Sequence, residues 1–236
     1  MKKLGLIGGI GPESTLLYYQ TLVYEAQRRV GCTFFPNLTI ESLNVFVVLD
    51  LCQRKDYPAL VDYLMAGIHN LAAAGADIIA LTGNTPHIVF GELQQQSPVP
   101  LVSIIESACD EAQRLGFSTV GLLGTRVTME EDFFKKPFRE AGINVVIPDR
   151  EAITFIAEKI LTELERGIVR PETQAVFLNI VQRMKDEQGI DAVILGCTEL
   201  PLLFNGVTLP VVSLDTMQTH INALLDVMLA DRRPIG

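Results

Sequence analysis

Two eleven-residue stretches of this chain are versions of one another. Gly75-Ala76-Asp77-Ile78-Ile79-Ala80-Leu81-Thr82-Gly83-Asn84-Thr85, set against Gly189-Ile190-Asp191-Ala192-Val193-Ile194-Leu195-Gly196-Cys197-Thr198-Glu199, pairs Gly with Gly, Asp with Asp and Leu with Leu. In each, a short apolar run leads into small and polar residues, the pattern of a strand buried on both faces and its exit loop. A second pairing sets KKLGLIGGIG against STVGLLGTRV, with Gly5 opposite Gly121 and Leu6 opposite Leu122. The distance onward to the paired loop is nearly the same in both halves. The chain therefore reads as a duplicated unit, and Gly83 lies opposite Cys197.

Strand-like and helical runs alternate around these landmarks. KLGLIGG, LTIESLNV and ADIIALTG are separated by helical periodicity over Ser14 to Val30 and Tyr57 to Ala74. A helix near Ile105 to Leu115 precedes the second cycle. There STVGLLGT, INVVIPD and DAVILGC alternate with helices over 130–141, 153–166 and 171–187. Such alternation predicts an α/β fold of parallel sheets with crossover helices. Two lobes are expected, residues 1–98 plus 208–236 and residues 99–207, the last segment returning to the first lobe. If the lobes face each other, their strand exits line one cleft.

Composition narrows the partners. With 236 residues and 48% hydrophobic content, each lobe is long enough for a core of its own. The formal net charge of −9, with no compensating basic run, argues against nucleic acid or an anionic membrane as a main partner. MKKLGLIGG opens like a signal peptide but breaks at Gly8-Gly9 with no cleavage-type segment after it, so a first strand is the better reading. No apolar run approaches the ~20 residues of a membrane span. Cys32, Cys52, Cys109 and Cys197 lack metal or disulfide spacing, which predicts no metal site and a cytoplasmic chain.

In parallel sheets ligands gather where strands end and helices begin, because unpaired N–H groups and a partial positive charge sit there. Four exits are rich in small or polar residues: Gly8 to Ser14, Thr82 to His87, Gly124 to Thr128 and Gly196 to Glu199. GGIGPEST lacks the third glycine of a dinucleotide loop, and Glu41 is a poor candidate for the ribose-binding acid; an anion-binding exit or a structural turn remain. Thr85-Pro86 is explained by an N-cap followed by proline at the first helical position. That account leaves Thr82 and Asn84, donors suited to a carboxylate. His87 either sits in the first helical turn or serves as an acid or base.

Cys197 stands out among the cysteines. A lone cysteine at a strand end is commonly a small core residue. Here Gly196 precedes it and Thr198 and Glu199 follow, in what reads as a helix's first turn, where the backbone field lowers a thiol's pKa. A protease pair would need a histidine positioned as base, and the sequence places neither His87 nor His220 in that role.

With GLIGGIGPEST, GNTPH, LLGTRVTMEEDFF and ILGCTELP, the chain resembles the aspartate/glutamate racemase family over nearly its whole length. The resemblance implies two pseudo-symmetric Rossmann-like lobes enclosing a cleft, and a homodimeric, cofactor-independent isomerase of amino acids. In that family two thiols face opposite sides of the substrate's α-carbon, one removing and one returning a proton, without pyridoxal phosphate or metal. By resemblance Cys197 is one of these bases. Asn84, Thr85 and Thr198 hold the α-carboxylate, Glu199 belongs to the same binding set, and Ile10, Gly11 and Thr125 border the pocket.

Two departures follow from the same comparison. The family's first cysteine, directly before Asn-Thr, is Gly83 here, leaving that side to water or to the adjacent Thr82. The lysine that the acidic-substrate racemases carry in the second lobe falls at Thr154 or Phe155, with Lys159 one turn further on. Arg54 is then a candidate partner for a side-chain carboxylate. A small carboxylate or amino acid is the expected substrate, racemisation the expected chemistry. The alternatives are a single-thiol decarboxylase or isomerase of a small diacid, as in the similar arylmalonate decarboxylase, and a non-catalytic amino-acid-binding relative.

Overall fold

The computed structural model describes residues 1–230; the last six residues of the expected N-terminal lobe lie outside the described residues. Two units emerge, Met1–Ile104 with the chain from Met217 on, and Ile105–Thr216. In the first, β1 (Leu4–Gly8), α1 (Pro12–Val30), β2 (Leu38–Ser42), α2 (Val45–Gln53), α3 (Tyr57–Ala73), β3 (Ile78–Leu81), α4 (Phe90–Gln96) and β4 (Leu101–Val102) lead to α5 (Ile104–Leu115). The second runs β5 (Thr119–Gly124), α6 (Arg126–Glu130), α7 (Lys135–Glu140), β6 (Asn144–Val146), α8 (Arg150–Thr162), α9 (Pro171–Gln188), β7 (Ala192–Gly196), α10 (Leu200–Leu203) and β8 (Val212–Asp215). The last helix, α11 (Thr216–Leu229), rejoins the first unit.

Each unit holds one four-stranded parallel sheet, in the orders β2-β1-β3-β4 and β6-β5-β7-β8. The orders are the same, and so is the register of the central pair. Ile7 lies beside Leu81 in one sheet and Leu123 beside Leu195 in the other. Two residues beyond Leu81 is Gly83, and two beyond Leu195 is Cys197. Backbone pairing thus reaches the Gly83/Cys197 equivalence without reference to residue type.

The repeated Gly-x-Asp has a structural cause. Gly75 and Gly189 take positive φ, 82° and 65°, just after the helices that precede β3 and β7, a conformation glycine adopts without a Cβ penalty. Two residues later the aspartates cap the start of the neighbouring strand. Lys3 donates its N–H to Asp77 Oδ2 at 2.6 Å, and Ser118 and Thr119 donate theirs to Asp191 Oδ2 at 2.8 and 2.9 Å. Those N–H groups, Thr119's first, hold the Asp191 carboxyl below the ordinary carboxylate range.

Apolar packing closes the first unit. Tyr18, Leu22 and Ala26 of α1 and Ile221, Leu224, Leu225 and Met228 of α11 pack with Leu4, Leu6, Ile78 and Ala80 of the sheet, each 0–1% exposed. Full burial of each large aliphatic side chain stabilises by about 1.5–3 kcal/mol, so a charge at Leu224 would break the α11 contact. A polar link is set into this core. Tyr18 Oη lies 2.8 Å from His220 Nδ1, and His220 Nε2 lies 3.1 Å from the Val102 carbonyl. A carbonyl only accepts, so Nε2 carries the proton and the tyrosine donates to Nδ1. One side chain thereby ties α1, α11 and β4 together.

The structure departs from the sequence reading at four places. LTIESLNV is strand only to Ser42, because the Asn44 side chain accepts from Phe46 N–H at 3.0 Å and starts α2. The expected helix over 130–141 is broken into α6 and α7. Pro137 has no N–H to bond and its ring crowds the preceding turn, so it is accommodated in the first turn of α7 rather than mid-helix. The helix expected from Ile153 starts at Arg150, since Asp149 accepts from Ala152 N–H at 2.8 Å. Finally, β4 pairs with β3 and β8 with β7, so the chain crosses between units after each edge strand, at 104/105 and 216/217.

Candidate active site

In the second unit, β5 and β7 run so close that a Cβ on Gly124 would lie 2.9 Å from the Gly196 carbonyl oxygen, and one on Gly196 would lie 2.8 Å from that of Leu123. Glycine is needed at both, and the strand end it permits delivers Cys197, Thr198 and Glu199, all buried, ahead of α10. Cys197 Sγ donates to Glu199 Oε2 at 2.9 Å, and Thr198 Oγ1 donates to the same oxygen at 3.1 Å. A third acid joins them. Glu165, in the 3-10 turn Leu164–Arg166, brings a carboxylate oxygen within 4.8 Å of both the sulfur and a Glu199 oxygen.

Electrostatics here oppose the expected low thiol pKa. Burial first, then the charges of Glu199 and Glu165, push Cys197 well above the ordinary thiol range. The helix that follows is only four residues long and offers little dipole to counter them. Cys197 therefore rests as a thiol. Burial, with Glu199 second, also pushes the Glu165 carboxyl up to about 8. Among the described residues this trio is the one group with metal-ligand spacing. Its hydrogen bond uses the thiol proton, whereas a metal requires the thiolate.

Neighbouring residues of the second unit have structural assignments. Thr125 caps α6, accepting from Thr128 N–H at 3.2 Å, and its hydroxyl lies 3.0 Å from that of Thr128. Lys159 donates to the buried Glu163 at 2.9 Å, and Glu163 Oε2 accepts from Thr173 at 2.7 Å. The lysine is thus engaged within its own helix.

In the first unit, Thr82 is fully buried and donates its hydroxyl to the Ile7 carbonyl at 3.1 Å. That bond holds the exit to β1 and commits the hydroxyl proton. Asn84 and Thr85 are buried, but the expected cap is displaced. The 3-10 turn begins at Thr85, Asn84 occupies the cap position, and its side chain makes no capping bond.

His87 is not placed as an acid or base. Its Nε2 accepts the Ile104 N–H at 3.3 Å, so Nδ1 carries the proton and donates to the Gly83 carbonyl at 2.9 Å. The ring stacks on Phe90 at 4.7 Å. Burial, then His220, pulls its pKa down to about 3, so the ring is neutral.

The GGIGPEST loop satisfies itself. Thr15 Oγ1 accepts from Gly9 N–H and donates to Gly11 O, both at 2.9 Å, and Ser14 Oγ donates to Gly11 O at 2.9 Å. Gly9 and Gly11 have positive φ, 74° and 89°. Ile10 between them is buried and rests against Gly83. Arg54 ends α2 on the surface, paired with Asp50 at 2.8 Å with both side chains about 60% exposed, an arrangement worth little in water. Glu165 is the site residue sequence reasoning missed. It lies in a polar run between helices, and only folding brings it to the sulfur.

Residues 7–224 match the family model described as Asp/Glu/hydantoin racemase. The chain is 26% identical to the broad specificity amino-acid racemase RacX of Bacillus subtilis over 204 residues, which is 84% of this chain and 85% of RacX. A crystal structure of an aspartate racemase homologue from Pyrococcus horikoshii shares 34% identity and a TM-score of 0.80, covering 97% of this chain and 99% of that one. A candidate Asp/Glu racemase from Yersinia pestis shares 30% identity with a TM-score of 0.88, covering 97% of this chain and all of that one.

Proposed function

Because the chain belongs to the Asp/Glu/hydantoin racemase family, we propose that it is an amino-acid racemase-like isomerase, independent of pyridoxal phosphate, with Cys197 as acid/base at the α-carbon of aspartate, glutamate or a broader set. The observation that carries this reading is the 2.9 Å bond from Cys197 Sγ to Glu199 Oε2. It supplies both protonation states the chemistry needs. As a thiol, Cys197 gives a proton to the planar carbanion. When Glu199 takes the thiol proton, the thiolate takes the α-proton of the substrate. Asn84 and Thr85 supply donors for the α-carboxylate, where charge spreads as the proton leaves, and Thr198 joins them when its hydroxyl, which at rest donates to Glu199, turns to the substrate.

The family's other base position is Gly83, and the Thr82 hydroxyl is committed to Ile7. Water is then the proton source for the opposite face, and the two enantiomers turn over at unequal rates. The reading extends to a cytoplasmic homodimer. Four free cysteines, Cys32 among them exposed, suit a reducing compartment, and two-fold dimers are the commonest oligomer.

The test is solvent-deuterium exchange at the α-carbon of aspartate and glutamate, followed by proton NMR. Cys197→Ala is expected to slow it by about 10²-fold or more. An unchanged rate would overturn the reading, and tight calorimetric binding without exchange in the unaltered chain would make it an amino-acid-binding relative.

A second reading is favoured by one observation, the resting thiol with no side chain at Gly83. Such a site protonates from one face alone, as a decarboxylase of a substituted malonate or similar diacid requires. Carbon dioxide release from a panel of such acids distinguishes it.

A further inference from the structure

Gly83 is not merely a position from which a thiol is missing. A Cβ on residue 83 would lie 2.9 Å from Ile10 Cγ2, closer than real Cβ atoms approach a neighbour, and 3.5 Å from the Ile10 carbonyl oxygen. The backbone at Gly83 is not what excludes a side chain, because its φ lies outside the left-handed region. What excludes it is one methyl group.

That methyl has little freedom to yield. Cγ2 is fixed directly on Cβ of a β-branched residue, whose χ1 is stiff. The backbone beneath it is pinned as well. Thr15 bridges Gly9 N–H and Gly11 O, and Gly9 is packed so tightly against Leu43 O that a Cβ there would overlap it. Ile10 is 7% exposed. The second unit differs at the equivalent place. Arg126, three residues beyond Leu123 as Ile10 is beyond Ile7, extends to Glu130 at 2.9 Å and Thr154 at 3.0 Å, and Cys197 carries its full side chain.

We propose that Ile10 is a specificity-determining residue: its Cγ2 methyl occupies the space of a side chain at position 83, holding this strand exit free of a protein base. Proton transfer from that side is therefore slow, and installing a second thiol requires change at both positions. This rests on the racemase-like reading, since the consequence concerns α-proton transfer, but its packing half does not.

The test uses two readouts on one variant set. The first is the urea midpoint. Gly83→Ala alone is expected to lower it. Adding Ile10→Leu or Ile10→Ala, both of which remove Cγ2, is expected to recover part of the loss, whereas Ile10→Val, which keeps a methyl there, recovers none. The second readout is α-deuterium exchange with each enantiomer of aspartate. Gly83→Cys combined with Ile10→Ala is expected to exceed Gly83→Cys alone by at least about tenfold for the slower enantiomer.

Equal recovery by Leu, Ala and Val, or no fall in the midpoint for Gly83→Ala, would overturn the proposal. So would Gly83→Cys alone reaching the rate of the double variant. If the unaltered chain and all variants show no exchange while the midpoints behave as expected, the racemase reading falls, together with the functional half of this proposal, and the Ile10–Gly83 packing stands.

Discussion

Cys197 and Glu199, two residues apart at one strand exit, share a single proton, Sγ donating to Oε2 at 2.9 Å. The carboxylate is both the acceptor for that proton and, after burial, the largest cause of the high thiol pKa. Removing its charge while keeping its shape separates the two effects. Glu199→Gln is expected to raise the thiolate fraction, since one pKa unit is tenfold in that fraction below the pKa. Alkylation of Cys197 by iodoacetamide at pH 8, followed by mass spectrometry, should be faster than in the unaltered chain.

Glu165 makes a pH prediction with an unusual sign. Its folded pKa of about 8 lies above the ordinary 4.5, owing to burial and then Glu199. Between these values the folded chain binds a proton that the unfolded chain has released, so stability falls as pH rises from about 4.5 to about 8. Glu165→Gln should flatten the dependence and be the more stable form at pH 8.5, by on the order of 1 kcal/mol. Urea midpoints across pH 5 to 9 check it.

The buried histidines act in the opposite direction. His87 is pulled down to about 3 and His220 to about 4, burial being the main cause for both. Unfolding exposes them to water, where each takes up a proton below about pH 6.5. Stability is therefore expected to fall as pH drops from about 6.5 towards 4, with a slope approaching two protons. At pH 7.5, where both rings are neutral, His220→Phe should still cost about 1–3 kcal/mol, because it removes the bonds that the ring makes to Tyr18 Oη and to the Val102 carbonyl. Guanidinium unfolding at the two pH values measures both effects.

The twin aspartates allow a control on each unit. Asp77→Ala and Asp191→Ala remove the acceptors for strand-start N–H groups and are expected to cost about 1 kcal/mol each. Under conditions where the chain stays folded, α-deuterium exchange should be unaltered. A loss of exchange at full stability would contradict the purely structural role given to Gly-x-Asp.

The duplication and the strand exits were legible in the sequence, because a strand buried on both faces must be an unbroken apolar run and its exit must contain small residues. The edge strands β2 and β6 were legible as well, but β4 and the sheet that β8 joins were not. β4 is two residues long, and Val212 of β8 is 56% exposed, so neither carries a burial pattern that assigns it to a sheet. Helix α2 hid because Asn44 lies between Leu43 and Val45 with no break in chain character on either side, and only the cap bond marks the change from strand to helix. At the site, Cys197 was visible but its proton affinity was not. Glu199 reads as a first-turn acid, and nothing along the chain says that it turns back to the sulfur or that Glu165 joins it. Ile10 was read as a residue bordering a pocket, while its contact with Gly83 exists only in three dimensions.

The contact between Ile10 and Gly83 also bears on how such a chain changes over generations. Glycine and cysteine codons can differ at a single base, so on genetic grounds the second thiol is one mutation away. The Cγ2 methyl makes that first step costly until position 10 has changed, and a change at position 10 alone supplies no base. Neither order of substitution is rewarded at its first step. A lineage that arrived at this pair is held there as by a ratchet, and relatives with cysteine at the equivalent of Gly83 are expected to carry a side chain other than a β-branched one at the equivalent of Ile10.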